Sequence, residues 1–280
     1  MSEAPLFAQQ AAQQTAQQTG PQTAVAFRGA GFVNDTRRWA PWLAFALIIA
    51  AWETASQLGW LPALFMPAPS EVVRALHSLL LDGKLLAHVG ASLQRILSGW
   101  ILGSLAGVMV GFLMGIFVIV RSIGLPVVSA LFPIPKIALL PLFILWFGIG
   151  EPSKIATIGL GVFFPTVVAA FSAVDNVPRN LIRMAQSFGL STPAIVAKVI
   201  LPGAMPGILA GFRITSSIAL MLVVAAEMIG AQVGIGAFVL AAGNLMQIDQ
   251  LIAGVVLLSL LGLTISWLLS LAEQILLRWR

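Results

Sequence analysis

Six long apolar runs dominate the chain after residue 38. A helix needs about 20 mostly apolar residues to cross the hydrocarbon core of a bilayer, so each run predicts one membrane span. The third run contains four prolines, which free backbone carbonyls and favour a position covered by neighbouring helices. The six predicted spans are 39–58, 91–119, 122–149, 153–174, 204–229 and 250–277.

A shorter amphipathic stretch, 71–82, lies between the first two runs. Ser70 is its predicted helix cap and Gly83 its predicted stop. Its apolar positions recur at helical spacing, so we expect this helix to lie along the membrane interface.

Composition agrees with an all-α membrane protein and removes several classes of function. Hydrophobic residues make up 59% of the 280 residues, charged residues 9%, and the mean hydropathy is +0.99. A soluble domain carries roughly 25% charged residues. The absence of cysteine and the presence of only two histidines exclude disulfides, thiolate catalysis and an H-E-x-x-H zinc site.

Residues 1–38 form a polar tail rich in glutamine. Such a segment buries too little apolar surface to offset its ordering entropy, so we predict a disordered tail. A helical Ala/Gln tail is the alternative.

The net charge of +5 is attributed to membrane topology and lipid headgroups, not to nucleic acid. An inside amino terminus puts nine basic residues on the cytoplasmic side and three on the other, which predicts two cytoplasmic termini. The inner set is Arg28, Arg37, Arg38, Arg121, Arg179, Arg183, Lys198, Arg278 and Arg280, and the outer set is Arg74, Lys84 and Lys154.

Five glycines recur at every fourth position of the second run. This spacing lets another helix backbone approach closely, either within the monomer or at a contact between subunits. No G-x-x-x-x-G-K-[ST] pattern is present, so a nucleotide-binding loop of that type is not expected. The glycines are Gly99, Gly103, Gly107, Gly111 and Gly115.

The connection 175–203 is the longest polar segment after the tail. Pro178 suits the first turn of a helix over 179–188, and Gly189 is expected to end it. A second short helix is expected over 193–199. The segment is either a solvated loop or a contact surface for a partner.

The same connection resembles the E-A-A-x3-G-x9-I-x-L-P loop of bacterial ABC-importer permeases. Its glycine, leucine and proline are in place, whereas the glutamate, first alanine and isoleucine are replaced. A family salt bridge that needs the glutamate is therefore not expected here. The matching positions are Arg183-Met184-Ala185, Gly189 and Val199-Ile200-Leu201-Pro202.

Further motifs resemble the nitrate, sulfonate, taurine and bicarbonate branch of these permeases, and the resemblance covers residues 39–280. They stand in the family's order along the chain. The motifs are Pro67-Ala68-Pro69-Ser70, Ser92-Leu93-Gln94-Arg95, Pro133-Ile134-Pro135-Lys136, Pro141-Leu142, Leu145-Trp146-Phe147-Gly148-Ile149-Gly150-Glu151, Phe163-Phe164-Pro165, Leu201-Pro202-Gly203-Ala204-Met205-Pro206, Gly211-Phe212-Arg213 and Ala226-Glu227-Met228.

The resemblance implies a type I importer permease fold of six membrane helices with a cytoplasmic coupling helix. It further implies a homodimer in a bacterial inner membrane, two separate ATPase subunits that bind ATP and Mg, and a periplasmic solute-binding protein. The chain itself is then neither an enzyme nor a holder of a cofactor or metal. Its domains are the tail 1–38 and a permease domain 39–280, with the coupling loop at 175–203.

In this interpretation the loop docks onto the ATPase, with an aromatic side chain as anchor. The alternative is that Phe188 packs back onto its own helices. The expected coupling residues are Arg179, Arg183, Ala185, Gln186, Phe188, Gly189, Leu190, Ser191 and Pro202.

Charges inside the predicted spans are candidates for function, since each is costly in hydrocarbon. Lys136 and Glu227 are expected either to face the solute path or to form structural ion pairs. Glu53 is expected to reach the interface, and Arg95 and Arg213 to extend to it along the helix.

An ATP-independent secondary transporter or channel is the main alternative function, and the docking loop argues against it. An intramembrane enzyme is disfavoured, because no histidine lies in a predicted span and no set of metal ligands is present. A sulfonate, taurine, nitrate, bicarbonate or a pyrimidine precursor each remains a possible solute.

Overall fold

A computed structural model describes residues 39–62 and 64–278. The predicted disordered tail and Arg280 lie outside these residues. Throughout the described part the regular structure is helical, in agreement with the predicted fold class. The helices are α1 (Ala40–Gln57), α2 (Pro69–Leu81), α3 (Lys84–Ile116), α4 (Val118–Leu131), α5 (Leu140–Phe147), α6 (Glu151–Asp175), α7 (Arg179–Ser187), α8 (Thr192–Ile195), α9 (Leu201–Gly230), α10 (Ile235–Asn244) and α11 (Ile248–Leu276).

Four helices in the described residues are long and apolar enough to cross a membrane. They include α3, α6 and α11, and a continuous helix of 39 residues from Thr192 to Gly230. A fifth span exists if α4 and the segment Lys136–Phe147, bent by 86°, are counted together. The prediction of six spans is therefore supported only for four or five.

The first predicted span forms a helix but does not reach the length and apolarity of the others. Helix α1 has 18 residues and would extend about 27 Å at 1.5 Å per residue. Its last turns carry Glu53 and Gln57, which lower its apolar character.

The chain divides into two compact units between Ala51 and Trp52. Of the first unit the structure describes residues 39–51, nearly all of them in α1. The second unit contains every site discussed below.

The glycine repeat of α3 faces α6. A Cβ added at Gly107 would lie 2.7 Å from Thr166 Cβ and 2.8 Å from the Phe163 carbonyl oxygen. An added Cβ at each of the other four glycines would also meet atoms of α6. The repeat therefore allows the α3 and α6 backbones to pack inside this chain at a distance that no larger residue permits.

The proline-rich run splits into two helices at the point where its prolines cluster. Helix α4 ends at Leu131, a 3₁₀ turn covers Lys136–Leu139, and α5 follows. Pro133 and Pro135 lie in the break, where they cannot donate the hydrogen bonds that would continue α4.

One local prediction was wrong, and one short helix was missed. The cap of α2 is Ala68, whose N–H donates to the Glu71 carboxylate at 3.2 Å, while Ser70 bonds to Glu53. The short helix α10 between the last two spans was not predicted; its ten residues are too few for a membrane span.

Candidate functional site

The connection between α6 and α9 forms a rigid turn, which we call the elbow (residues 178–191). Helix α7 begins after Pro178 and ends before Gly189, whose φ of +71° favours glycine. The Leu190 N–H donates to the Ala185 carbonyl at 3.2 Å, and the Gly189 N–H donates to Gln186 at 2.9 Å. This pair of bonds defines a Schellman motif, which closes the helix end with a fixed direction.

The elbow is attached to the bundle on both sides. Val177, which precedes it, is 3% exposed and belongs to an apolar cluster with Ala173 and Ala204. Ile182 of α7 and Val199 pack against the same cluster. Apolar contacts of this kind hold α7 against α6 and α9.

The predicted second short helix, 193–199, is not a separate element. Helix α8 continues through a π-helical turn, Val196–Ile200, directly into α9. Pro202 lies in the first turn of α9, where the missing N–H costs little, and Pro206 lies within the helix. The elbow therefore ends on a continuous helix.

One face of the elbow carries exposed apolar side chains. Phe188 is 76% exposed, and Met184 and Leu181 are also exposed, whereas Ala185 is buried. These residues border a groove of about 380 Å³ whose other side includes Pro202. The structure thus has Phe188 exposed, not packed back onto its own helices. The remaining predicted coupling residues Arg179, Arg183, Gln186 and Ser191 are exposed, and Leu190 is half-buried.

At the opposite end of the bundle, which we call the far end, one arginine joins three segments. The Arg95 guanidinium on α3 donates two bonds to Glu151 at the start of α6, at 2.6 and 2.7 Å. It also donates to Glu227 on α9 at 2.7 Å and to the Val233 carbonyl at 2.6 Å. Bidentate arginine–carboxylate pairs are strong and directional, so they hold these segments in one arrangement.

Glu227 has further partners inside the same cluster. Its carboxylate accepts the Ser92 hydroxyl at 2.8 Å and the Gly236 N–H at 2.8 Å. The Ser92 hydroxyl oxygen accepts the Ile235 N–H at 2.8 Å. We call Ser92, Arg95, Glu151, Glu227 and residues 233–236 the far-end cluster. It fastens the start of α10 to α3.

The expectation that Arg95 extends to the interface was wrong. Arg95 is 4% exposed and Glu227 is fully buried. Because two carboxylates neutralise the guanidinium in place, the side chain has no need to reach water. Glu227 was expected either to face the solute path or to form a structural ion pair, and its geometry is that of an ion pair.

Arg213 and Glu53 are more exposed than Arg95 and Glu227. Arg213 pairs with Glu273 of α11 at 2.9 Å. Glu53 accepts the Ser70 hydroxyl at 2.8 Å and the Gln57 amide at 2.6 Å. Arg213 thus joins α9 to α11, and the Ser70 contact joins the end of α1 to the start of α2.

Lys136 lies at the break between α4 and α5. Its ammonium donates to the carbonyl oxygens of Leu131, Phe132 and Ile134 at 2.9, 2.7 and 2.7 Å. It lies 5.0 Å from the centre of the Phe164 ring on α6. Lys136 therefore satisfies carbonyls that the broken helix leaves free.

Residues 103–279 match the family described as binding-protein-dependent transport system inner membrane component. The chain belongs to this permease family. TauC of Escherichia coli, a taurine transport system permease protein, is 37% identical over 78% of this chain and 81% of its own length. SsuC of Bacillus subtilis, assigned to aliphatic sulfonates transport, is 35% identical over 84% of this chain and 85% of its own.

Solved structures agree on the fold of the permease. An inward-facing structure of the MetNI methionine ABC transporter aligns with a TM-score of 0.60 and 24% identity, covering 69% of the permease and 95% of that chain. A crystal structure of an amino acid ABC transporter aligns with a TM-score of 0.58 at 15% identity, covering 71% and 97%. The permease is thus a multi-pass inner membrane subunit of an ABC transport system, in which ATP binds to a separate ATPase.

Sequence reasoning did not bring the far-end cluster together. Arg95, Glu151 and Glu227 each appeared in a separate motif, and Ser92 appeared only as part of one. The sequence did contain a signal, because each of the three charges lies near the end of a predicted span that the predicted topology places on the outer side. Opposite charges at one depth of a membrane bundle are expected to pair.

Proposed function

We propose that the permease imports a small organic anion with a sulfonate headgroup, driven by ATP hydrolysis on its partner. The identity to TauC and to SsuC over most of the chain supports this solute class. The solute-binding protein of such a system does most of the selection, so the permease needs only to favour the charge and size of the class.

The proposed assembly is a homodimer of six-helix subunits with two ATPases and one periplasmic binding protein. In this arrangement α1 is the first span, the broken segment α4–α5 is the third, and both termini are cytoplasmic. The excess of basic residues on the proposed inner side supports the orientation. One subunit offers a single elbow, so two copies match two ATPases.

The exposed apolar face of the elbow is the observation that carries the coupling role. An exposed aromatic beside a groove is typical of a protein interface, where aromatic anchors contribute much of the binding free energy. Phe188 is the proposed anchor, and Ala185 and Gly189 allow close approach. Because the elbow is closed by a Schellman motif and packed on α6 and α9, movement of the ATPases would turn the bundle as a unit.

The two candidate path residues receive different roles in this proposal. Glu227 is fully buried in the far-end cluster, so we assign it to holding the outer end of the bundle. Lys136 borders a cavity, so it is retained as a path residue.

Gly189→Asp tests the coupling role directly. The change adds a side chain and a charge at the proposed contact, in a backbone conformation that aspartate tolerates better than most residues. Nothing lies within 4 Å of the added Cβ, so the bundle should fold. We expect loss of ATPase co-purification and of ATP-driven taurine uptake in proteoliposomes, with a normal yield of the permease.

Gly59→Asp is the matched control. Gly59 has a φ of +75° and the same open surroundings, but it precedes α2 on the proposed outer side. If both variants couple normally to ATP hydrolysis, the elbow is not the contact with the ATPase. Uptake without ATP by the wild-type permease alone would instead identify a secondary transporter.

A further inference from the structure

Lys136 borders a small, open cavity between the α4–α5 break, α6 and α9. The cavity has a volume of about 220 Å³ and is lined by Phe132, Ile134, Lys136, Gly161, Pro165, Ile218 and Leu222. Gly161 and Pro165 flank the midpoint of α6, Ile218 lies near the midpoint of α9, and Leu222 lies about two turns before the end of α9. We call this space the Lys136 cavity, and its position is about half-way along the spanning helices.

The charge of Lys136 is not neutralised by another side chain. Within the described residues no carboxylate forms an ion pair with its ammonium, whereas Arg95, Arg121, Lys154 and Arg213 each have at least one carboxylate partner. The groups around it are three backbone carbonyls and the rings of Phe132 and Phe164. These are neutral dipoles, so a net positive charge remains at the cavity wall.

The rest of the cavity lining is apolar. A positive charge set in apolar walls attracts an anion strongly, because the low local dielectric screens it little, and it repels cations. The volume admits a solute of a few heavy atoms with a charged head and a short apolar body. A small organic sulfonate has this shape and charge.

The hydrogen bonds of Lys136 favour passage over tight binding. An ammonium has three N–H donors, and here each has a carbonyl acceptor. An arriving anion is therefore held by charge without a dedicated hydrogen bond. A site on a transport path must attract its solute and also release it, and this arrangement meets both conditions.

We infer that the Lys136 cavity is a transient binding site for the sulfonate group of the solute, half-way along the path through the permease. This inference rests on the import function proposed above. It assigns charge selection to a permease residue, in addition to the selection made by the binding protein.

Chemical rescue of Lys136→Cys tests the site in the full complex of permease, ATPase and binding protein. The chain has no cysteine, so the introduced thiol is the only one in the permease. Aminoethyl methanethiosulfonate attaches a primary ammonium on a chain one atom longer than lysine, whereas methyl methanethiosulfonate attaches a neutral methyl group. Uptake of taurine and ethanesulfonate is measured in proteoliposomes, with the treated wild-type complex as control.

We expect uptake by Lys136→Cys to fall about tenfold or more, since the anion loses the positive charge at the cavity wall. The aminoethyl reagent should restore most of the uptake, and the methyl reagent should not. Normal uptake by the methyl-blocked variant would overturn the inference. A thiol that reacts with neither reagent, with or without ATP, would also overturn it, because no soluble molecule then reaches the cavity.

Lys136→Gln separates charge from helix capping. Glutamine can still donate hydrogen bonds to the freed carbonyls but carries no charge, whereas Lys136→Arg keeps both. We expect Lys136→Arg to transport and Lys136→Gln to fail while both still co-purify with the ATPase. Full transport by Lys136→Gln would leave only a capping role for the lysine. If the untreated wild-type complex took up neither sulfonate, the proposed function itself would fail, independently of the Lys136 variants.

Discussion

Two buried or half-buried cations in this permease have opposite surroundings. Arg95 at the far end donates to two carboxylates and a backbone carbonyl. Lys136 at mid-depth has only carbonyls and aromatic rings, and it borders a cavity. A charge neutralised by side chains of other helices holds those helices together. A charge without a counterion remains available to an anionic solute.

The comparison also shows why a charge in a spanning helix does not by itself reveal a role. Both residues have the same sign and both lie in apolar segments. The partners decide the difference, and those partners come from α6, α9 and the α9–α10 connection for Arg95, but from the local backbone for Lys136.

Removing Arg95 should have the largest effect on stability. Arg95→Met leaves Glu227 buried without its cation, and breaking a buried ion pair from one side typically costs about 3–5 kcal/mol. We expect a large fall in the unfolding temperature of the detergent-solubilised permease. Arg95→Met combined with Glu227→Gln should recover part of the loss, because the stranded charge is gone. An unchanged unfolding temperature would contradict the fastening role.

Gly107→Leu should disturb the packing of α3 against α6, the helices that carry Arg95 and line the Lys136 cavity. The added side chain meets Thr166 and the Phe163 carbonyl on α6, and overpacking of this kind costs about 1–3 kcal/mol or more. Gly90→Leu on the same helix is the control, because nothing lies within 4 Å of its Cβ. Equal expression and unfolding temperature for the two variants would show that the glycine repeat does not need the close approach.

Gly234→Ala should disturb the far-end cluster without removing a charge. The new Cβ would collide with the Glu227 carboxyl and lie 2.6 Å from Arg95 Nη1, at a φ of +146°. Backbone strain of this kind costs about 1–3 kcal/mol. Gly148→Ala, at a φ of +81° in open space, measures the strain alone. A larger fall in unfolding temperature for Gly234→Ala would isolate the collision with the cluster.

Lys136→Met should have the smallest effect on stability. The variant loses three carbonyl hydrogen bonds, but it also removes a charge whose placement in the membrane costs about 2.5–3.5 kcal/mol. The two contributions oppose each other, so we expect a change within about 1 kcal/mol. An unfolding temperature as low as that of Arg95→Met would show that Lys136, like Arg95, mainly holds the helices together.

Much of the secondary structure followed from local pattern. The runs that became α6, α9 and α11 were predicted to within about three residues, because a long apolar run bounded by polar residues has few alternatives. The turn at Gly189 was also predicted, since a glycine after an amphipathic segment ends a helix in a known way. The six-span count was less secure, because α1 is only 18 residues long and the third run breaks in two.

The sequence by itself determined the membrane class, the helical fold, the glycine repeat and the position of the elbow, because these depend on residues close together in the chain. Only the tertiary structure decided which residue neutralises which. Arg95 and Glu227 are 132 residues apart, and their pairing depends on α3 and α9 packing around α6. The tertiary structure also places Lys136 beside a cavity without a carboxylate partner. The charge partners of such a side chain come from neighbouring helices and not from its own sequence segment.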